Sequence, residues 1–226
     1  MSHLYFLIPL LLFFTQLFSE QKRPQLHTVI VETGSIILDG VLDEPVWFTV
    51  EPATEFKQRD PIEGAPCTEK TEVYVIYDQD NLYIGAKFYD SNPEGIMAYQ
   101  KKRDASLSGD DRFMFIIDTY RDYRTGYFFE TNPAGILGDG IIGVGGRFNL
   151  NKSWDGIWDV RVTIDESGWS AEIVIPFQTL SFDTNDDTWG INFQRTIIKP
   201  CQLVKPNNKS KNLLCKVFNI LGGPST

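Results

Sequence analysis

The chain has 226 residues, with 30 acidic and 21 basic side chains and a formal net charge of −9 at pH 7. Residues 199–226 contain lysines and no acidic residue, so the acidic excess lies earlier in the chain. Such a surface repels nucleic acid and anionic lipid and excludes binding to either through a basic face. The length is sufficient for one sizeable domain whose core needs no disulfides.

An uncharged apolar run, LYFLIPLLLFFTQLF, occupies residues 4–18. It is shorter than the roughly 20 residues of a membrane span and suits the apolar part of a secretory signal peptide. No Lys or Arg precedes the run and no A-x-A cleavage site follows it, so an uncleaved N-terminal anchor remains an alternative. Residues 1–19 are predicted to be a signal peptide, and the chain to be exported.

Short β-rich runs separated by Gly, Pro, Asn and Asp clusters follow, without helical periodicity. The clearest unit is a hairpin of TEVYVIY and LYIGAKFY, residues 71–77 and 82–89, joined by the turn DQDN. Further strands are predicted at 36–38, 112–118, 126–131, 138–144, 157–164, 169–175 and 189–194, and helical turns at 43–47 and 176–180. About nine antiparallel strands predict an all-β sandwich of jelly-roll or immunoglobulin-like type.

The segment SWDGIWD, residues 153–159, carries two tryptophans four positions apart. In an extended chain Trp154, Trp158 and Val160 share one face, and Trp169, Ala171 and Ile173 do so in the following strand. This alternation predicts that Trp158 lies in the core. Trp154 precedes the best strand pattern and is predicted to lie at a rim, where it can contact a ligand.

The three cysteines are predicted to form neither a disulfide framework nor a zinc site, since Cys67 stands apart from Cys201 and Cys215 and no metal-site spacing occurs. Residues 199–226 lack alternation and are rich in Lys and Asn. They are predicted to be a disordered tail, or a truncated or out-of-frame end.

Several segments together resemble the family 9 carbohydrate-binding module, and in particular the family-9-like domain at the N-terminus of bacterial outer-membrane β-barrel proteins. The matching segments occur in family order: IILDGVLDEPVW at 36–47, the hairpin region at 68–96, DDRFMFIIDTYRDYRTGYFFETNPAG at 110–135, SWDGIWDV at 153–160 and GWSAEIVIPFQTLSF at 168–182. The resemblance assigns the family-9-like domain to residues 28–198 and gives the tail no counterpart.

The resemblance implies a jelly-roll-like sandwich, often with bound calcium, that holds sugars without catalysis. In the family a sugar lies between two tryptophans, and a glutamate and an arginine from adjacent strands bind its hydroxyls. These positions correspond here to Ser108 for the first tryptophan, Met114 for the glutamate and Glu130 for the arginine. The second tryptophan lies beyond the point of divergence, so the family's sugar clamp is predicted to be absent.

Other side chains are candidates for binding. The residues predicted to contact a carbohydrate are Trp154, Asp155, Asp110, Asp111 and Arg124. Asp39, Asp43 and Glu44 form an acidic group in a Gly-containing loop, and calcium accepts such carboxylates. Turn formation and helix N-capping are the alternative for this group.

The leading hypothesis is an exported, non-catalytic carbohydrate-binding module in the periplasm or at the outer membrane. One alternative is an interaction or plug domain of a truncated outer-membrane protein, beside a membrane β-barrel domain and without sugar binding. Another is an accessory part of a glycoside hydrolase. No catalytic residue is predicted, because G-x-S-x-G is absent and the only histidines are His3 and His27. A haem site is a weaker hypothesis, with His27, Met97 and Met114 as the available ligands.

Overall fold

The computed structural model describes residues 24–198 and the backbone of residues 213–222. The strands in these ranges are β1 (Gln25–Leu26), β2 (Lys57–Asp60), β3 (Thr71–Tyr77), β4 (Asn81–Tyr89), β5 (Arg112–Asp118), β6 (Gly126–Thr131), β7 (Gly138–Ile142), β8 (Leu150–Asn151), β9 (Asp159–Asp165), β10 (Gly168–Pro176), β11 (Thr188–Ile197) and β12 (Leu213–Gly222). Short 3₁₀ helices lie at Pro45–Thr49, Pro93–Gly95, Gly146–Asn149 and Phe177–Thr179.

The strands form two sheets. A four-stranded sheet has the order β3-β4-β10-β9, and an eight-stranded sheet has the order β1-β12-β11-β5-β6-β7-β8, with β2 also paired to β12. Pairing is antiparallel except between β1 and β12. The predicted all-β sandwich is therefore confirmed.

The core lies between the two sheets and follows the period of two in the sequence. Val73, Val75 and Tyr77 of β3 belong to one buried cluster with the aromatic residues of β5, β6 and β11. The rings of Phe88 and Trp169 stack across β4 and β10 with centroids 4.0 Å apart. Burying each such side chain stabilises the fold by roughly 1.5–3 kcal/mol. The alternation therefore determines that the two sheets pack face to face as a sandwich.

The N-terminal segment covers the outer face of the four-stranded sheet. Trp47 and Val50 pack there in a second buried cluster with Tyr74, Ile76 and Tyr83. The predicted strand at 36–38 is not formed, because the backbone N–H of Ile37 donates to the Glu44 carboxylate at 2.8 Å and not to a neighbouring strand.

Arg195 ties the two sheets together. It lies on β11 in the eight-stranded sheet and is 1% exposed. Its guanidinium donates to the carbonyl oxygens of Lys70 and Tyr89 at 3.1 and 2.8 Å and to Thr71 Oγ1 at 3.1 Å. Burial lowers its pKa to about 10, while Asp90 and Asp111 act in the opposite direction. Arg195 therefore stays charged at neutral pH and holds β11 against the β3–β4 hairpin.

Part of the predicted disordered tail forms a strand. The backbone of β12 pairs with β11 over the whole length of both strands, from Thr188 opposite Gly222 to Ile197 opposite Leu213. Local sequence alternation does not indicate this strand, since its position depends on long-range pairing. The predicted signal peptide at 1–19 and the other tail residues, 199–212 and 223–226, lie outside the described residues.

Cys67 is disulfide-bonded, so the prediction that it stands alone is wrong. Cysteine spacing along the chain does not indicate which cysteines meet in space.

Among the residues described, there is no helix with the length and apolar character needed to cross a membrane.

Candidate functional site

A polar cluster lies on the outer face of the eight-stranded sheet. Alternation along β5 turns Phe113 and Phe115 into the core, so Arg112 and Met114 face outward. Met114 lies opposite Glu130 of β6 and Gln194 of β11. We call Arg112, Glu130, Lys152, Gln194 and Thr196 the outer-face cluster.

Glu130 is the centre of this cluster. It is 3% exposed, and its two carboxylate oxygens bind Arg112 Nη1 at 3.2 Å and Lys152 Nζ at 2.6 Å. Gly138 lies opposite Glu130 on β7, and a Cβ there would stand 2.8 Å from Glu130 Cγ. The glycine therefore lets the glutamate lie flat on the sheet between two cations.

The cations of the cluster retain access to solvent. The side chains of Arg112 and Lys152 are 27% and 36% exposed. Arg112 Nε also donates to Thr196 Oγ1 at 3.3 Å, and Lys152 Nζ lies 5.6 Å from the centroid of the Phe128 ring. Guanidinium and ammonium groups donate charge-assisted hydrogen bonds, which are stronger than bonds between neutral groups. The cluster can therefore donate to the oxygen atoms of a polar, uncharged ligand.

Met114 and Glu130, to which the resemblance assigns the family's glutamate and arginine, lie opposite each other on adjacent strands. An arginine and a glutamate also meet here, but with the strands exchanged: Arg112 is on β5 and Glu130 on β6. The sequence analysis missed Arg112 and Lys152. Outward alternation within β5 indicates Arg112, whereas only the fold brings Lys152 to Glu130.

Trp154 lies away from this cluster. Its ring packs on the core side of β6, with centroids 5.3 Å from Tyr127 and 6.1 Å from Phe129. It is partly exposed, as predicted for a rim position. Trp158 is 6% exposed and belongs to the core, which confirms that prediction. Asp155 is exposed and forms an ion pair with Arg103.

Asp110 and Asp111 are buried, with 1% and 3% exposure. Asp110 accepts hydrogen bonds from the Gln100 backbone and the Asn132 side chain at 2.9 and 2.7 Å. Asp111 accepts from the backbone N–H groups of Met97 and Ile198, and burial raises its pKa to about 6. Both carboxylates hold the segment that leads into β5 through these hydrogen bonds. They are not exposed to a ligand, contrary to the sequence prediction.

Arg124 lies in the exposed β5–β6 loop, at the opposite end of β5 from Arg112. Its backbone N–H donates to Asp122 Oδ1 at 2.7 Å within a tight turn. Arg121 and Tyr123 adopt positive φ angles of 52° and 56° there, and the Asp118 carboxylate accepts the Tyr123 N–H at 2.8 Å. The predicted contact residues therefore do not all converge, since Asp110 and Asp111 precede β5 and Arg124 follows it.

In the group predicted to bind a metal, carboxylate oxygens of Asp39 and Glu44 already accept hydrogen bonds from the protein. Asp39 Oδ1 accepts from the Val41 N–H, and Glu44 accepts from Ile37 N through one oxygen and from Trp47 Nε1 through the other. These contacts are the turn-forming alternative that the sequence left open. Because these oxygens already serve the loop, the group does not fit calcium well, and Asp43 remains an exposed carboxylate beside it.

Comparison with solved structures identifies proteins that share this fold. A family 9 carbohydrate-binding module from Caldicellulosiruptor kristjanssonii, in complex with cellotriose, aligns over 89% of this chain and 94% of the module, with 13% identity and a TM-score of 0.58. The chain has the fold of a family 9 carbohydrate-binding module. None of the family profiles and none of the curated protein sequences compared with the chain matches it.

Two other structures share this family-9-like fold. A family 9 module from the same organism, in complex with glucose, aligns over 88% of this chain and 96% of its own, with 13% identity and a TM-score of 0.53. A protein from Bacteroides uniformis proposed to bind carbohydrate aligns over 89% of this chain and 99% of its own, with 15% identity and a TM-score of 0.62. The sandwich that the sequence resemblance implied is thus confirmed.

Proposed function

We propose that the chain is a non-catalytic carbohydrate-binding module whose sugar site is the outer-face cluster. The family-9-like fold supports a carbohydrate ligand, since solved neighbours hold cellotriose and glucose. The observation that carries the location is the Arg112–Glu130–Lys152 arrangement at the cross-strand position of the family's polar pair.

Sugar chemistry suits this arrangement. Hydroxyl groups accept hydrogen bonds from the partly exposed Arg112 and Lys152, and hydrogen bonds to charged groups contribute roughly 1.5–3 kcal/mol each. Glu130 holds both cations in place and is itself buried. Met114 offers an apolar surface beside them, in the place of a charged family residue. The ligand that fits is a neutral sugar chain bound mainly through donated hydrogen bonds.

Calorimetric titration of the full chain with soluble oligosaccharides, including cellotriose, tests the proposal. Replacing Arg112 by Ala is expected to weaken binding about ten-fold or more, because a charged donor is lost. Arg161→Ala is the matched control, since Arg161 pairs with Asp159 on β9 of the other sheet. Thermal unfolding of each variant verifies that it folds.

The outcomes separate site from function. Binding that survives Arg112→Ala and is lost in Trp154→Ala would move the site to the tryptophan rim. Absence of saturable binding to every sugar in the panel, by a folded chain, would contradict carbohydrate binding itself.

We also propose that the protein is exported to the periplasm or outer membrane. The apolar run at residues 4–18 supports this, and so does the disulfide at Cys67, because disulfides persist in oxidising compartments. Fractionation of cells that express the full chain with a C-terminal tag tests it. Recovery with cytoplasmic proteins would contradict export.

A further inference from the structure

A small cavity opens at the end of the four-stranded sheet where the chain turns from β3 into β4. Its lining comes from that turn and from the end of β10: Gln79, Asp80, Asn81, Pro176, Phe177 and Gln178. Its volume is about 310 Å³, at the lower end of the roughly 300–1,000 Å³ of small-molecule sites. We call it the turn cavity, and its size suits a ligand such as a single sugar unit.

Backbone contacts fix both walls of the turn cavity. Asn81 lies opposite Pro176 where β4 pairs with β10, and the backbone N–H of Phe177 donates to the carbonyl oxygen of Asp80 at 2.8 Å. The Asp78 carboxylate accepts from the N–H groups of Asp80 and Asn81 at 2.8 and 2.7 Å and so holds the turn in shape. The cavity is therefore formed in advance, which lowers the entropic cost of binding a ligand.

Asp80 gives the turn cavity a negative charge. It is exposed, and its carboxylate has no hydrogen-bond or ion-pair partner among the residues that the structure describes. The other side chains of the lining are neutral, so none of them balances this charge. Asp78 adds a second carboxylate, which is 1% exposed and accepts hydrogen bonds from uncharged groups of Asp80, Asn81 and Tyr83. Because a cleft with charges of one sign concentrates ions of the other sign, the turn cavity favours a cation.

The ring of Phe177 is the second feature that favours a cation. It is partly exposed where it lines the cavity, and it packs edge to face against Tyr77 and Trp189, with centroids 6.4 and 6.1 Å apart. These contacts fix the orientation of the ring. The face of an aromatic ring attracts an ammonium group, and the Asp80 carboxylate adds Coulomb attraction to the same group.

We propose that the turn cavity binds the ammonium group of an amino sugar, so that the module favours glycans with free amino groups. The ammonium group would donate to Asp80 and lie against the Phe177 ring, while the glutamine amides of the lining hydrogen-bond neighbouring hydroxyl groups. The proposal rests on the carbohydrate-binding role proposed above but not on the outer-face cluster. That cluster presents the cations of Arg112 and Lys152, so an ammonium group favours the turn cavity.

Calorimetric titration of the full chain with three trisaccharides that share one backbone tests the proposal: cellotriose, chitotriose with free protonated amines, and N-acetylated chitotriose. The free-amine form is expected to bind at least about five-fold more tightly than the other two, because only it offers a cation to Asp80 and Phe177. Asp80→Asn is expected to remove this preference and to leave the affinity for cellotriose unchanged. Phe177→Leu is expected to reduce the preference, and thermal unfolding verifies that each variant folds.

Asp43→Asn is the matched control, because Asp43 is also an exposed aspartate whose carboxylate has no hydrogen-bond or ion-pair partner in the described part of the chain. It removes the same charge and is expected to keep the preference. A preference that survives Asp80→Asn, or that Asp43→Asn lowers equally, would reflect net charge alone and overturn the proposal. Cellotriose binding without any preference would overturn it and leave the carbohydrate-binding role intact, whereas a lack of binding to all three sugars would contradict both.

A lysine side chain carries the same ammonium group without a sugar ring. Glucosamine and N-acetyl-lysine amide, titrated in parallel, therefore distinguish the two sources of this group. Glucosamine is expected to bind more tightly, since its ring hydroxyls also bond the glutamine amides of the lining. Tighter binding of the lysine derivative would overturn the choice of a sugar.

Discussion

The carboxylate of Glu172 accepts a hydrogen bond from the indole Nε1 of Trp47 at 3.1 Å. Its other oxygen accepts the backbone N–H groups of Asp39 and Gly40 at 2.9 Å each. Glu172 is fully buried on β10, on the face of the sheet that points away from the core. Burial raises its pKa, while these hydrogen bonds act to lower it. One side chain thus fixes the N-terminal segment on the four-stranded sheet.

Replacing Glu172 by Gln should destabilise the protein by about 2–4 kcal/mol. The amide NH₂ cannot accept a hydrogen bond, so at least one buried N–H group loses its partner. Urea denaturation at neutral pH measures the difference in the free energy of unfolding. Glu166→Gln, in the exposed β9–β10 turn, should change it by less than about 0.5 kcal/mol. Equal effects of the two substitutions would contradict the role of Glu172.

Gly40→Ala should destabilise the protein far more than Gly34→Ala. Both glycines have positive φ, +92° and +84°, so alanine is strained at either position. At Gly40 a Cβ would also lie 2.7 Å from the Val162 backbone, whereas nothing lies within 4 Å at Gly34. We expect a loss of about 1 kcal/mol at Gly34 and at least about 3 kcal/mol at Gly40. Chemical denaturation compares the two, and similar losses would refute the close contact.

Asp139 is fully buried, and its Oδ2 accepts hydrogen bonds from Arg103 Nη2, Gly156 N and Trp158 Nε1. Trp158→Phe should cost about 1–3 kcal/mol, because it removes one of these three donors. Trp154→Phe should cost less, since that ring is partly exposed at the rim. Thermal unfolding of the two variants measures these losses. A larger loss for Trp154→Phe would mean that the rim, and not the core position, anchors the turn.

Asp111 should make stability fall as pH rises through about 6. Burial raises its pKa to about 6 from an ordinary 3.8, so the folded protein holds this proton more tightly than the unfolded chain does. The resulting stability is present in full below pH 3.8 and is lost as pH rises through the folded pKa.

Asparagine does not titrate, so the Asp111→Asn variant lacks this pH-dependent contribution to stability. From pH 4 to pH 7 its free energy of unfolding should therefore rise relative to wild type by about 2 kcal/mol. Denaturation at a series of pH values measures this difference. Asp187→Asn, at an exposed position, should run parallel to wild type over the same range. A parallel curve for Asp111→Asn would show that the carboxyl titrates normally.

Alternation of apolar and polar residues, by itself, determined most of the sandwich. Residues 71–77, 112–118 and 126–131 were predicted as strands and are β3, β5 and β6. The core position of Trp158 followed from the same pattern. This works because a strand exposes successive side chains to opposite faces, and burial of one face between two sheets dominates the stability.

Only the tertiary structure decided which polar residues are buried and which meet. Glu172 alternates outward like a surface residue, yet it is buried because a segment 133 positions earlier in the chain covers it. Asp110 and Asp111 were predicted as ligand contacts and are enclosed. The pairing of β12 and the meeting of Asp104, Asp139 and Asp155 likewise join distant segments. Period and composition describe neighbours along the chain, whereas these contacts depend on how loops and strands close over one another in space.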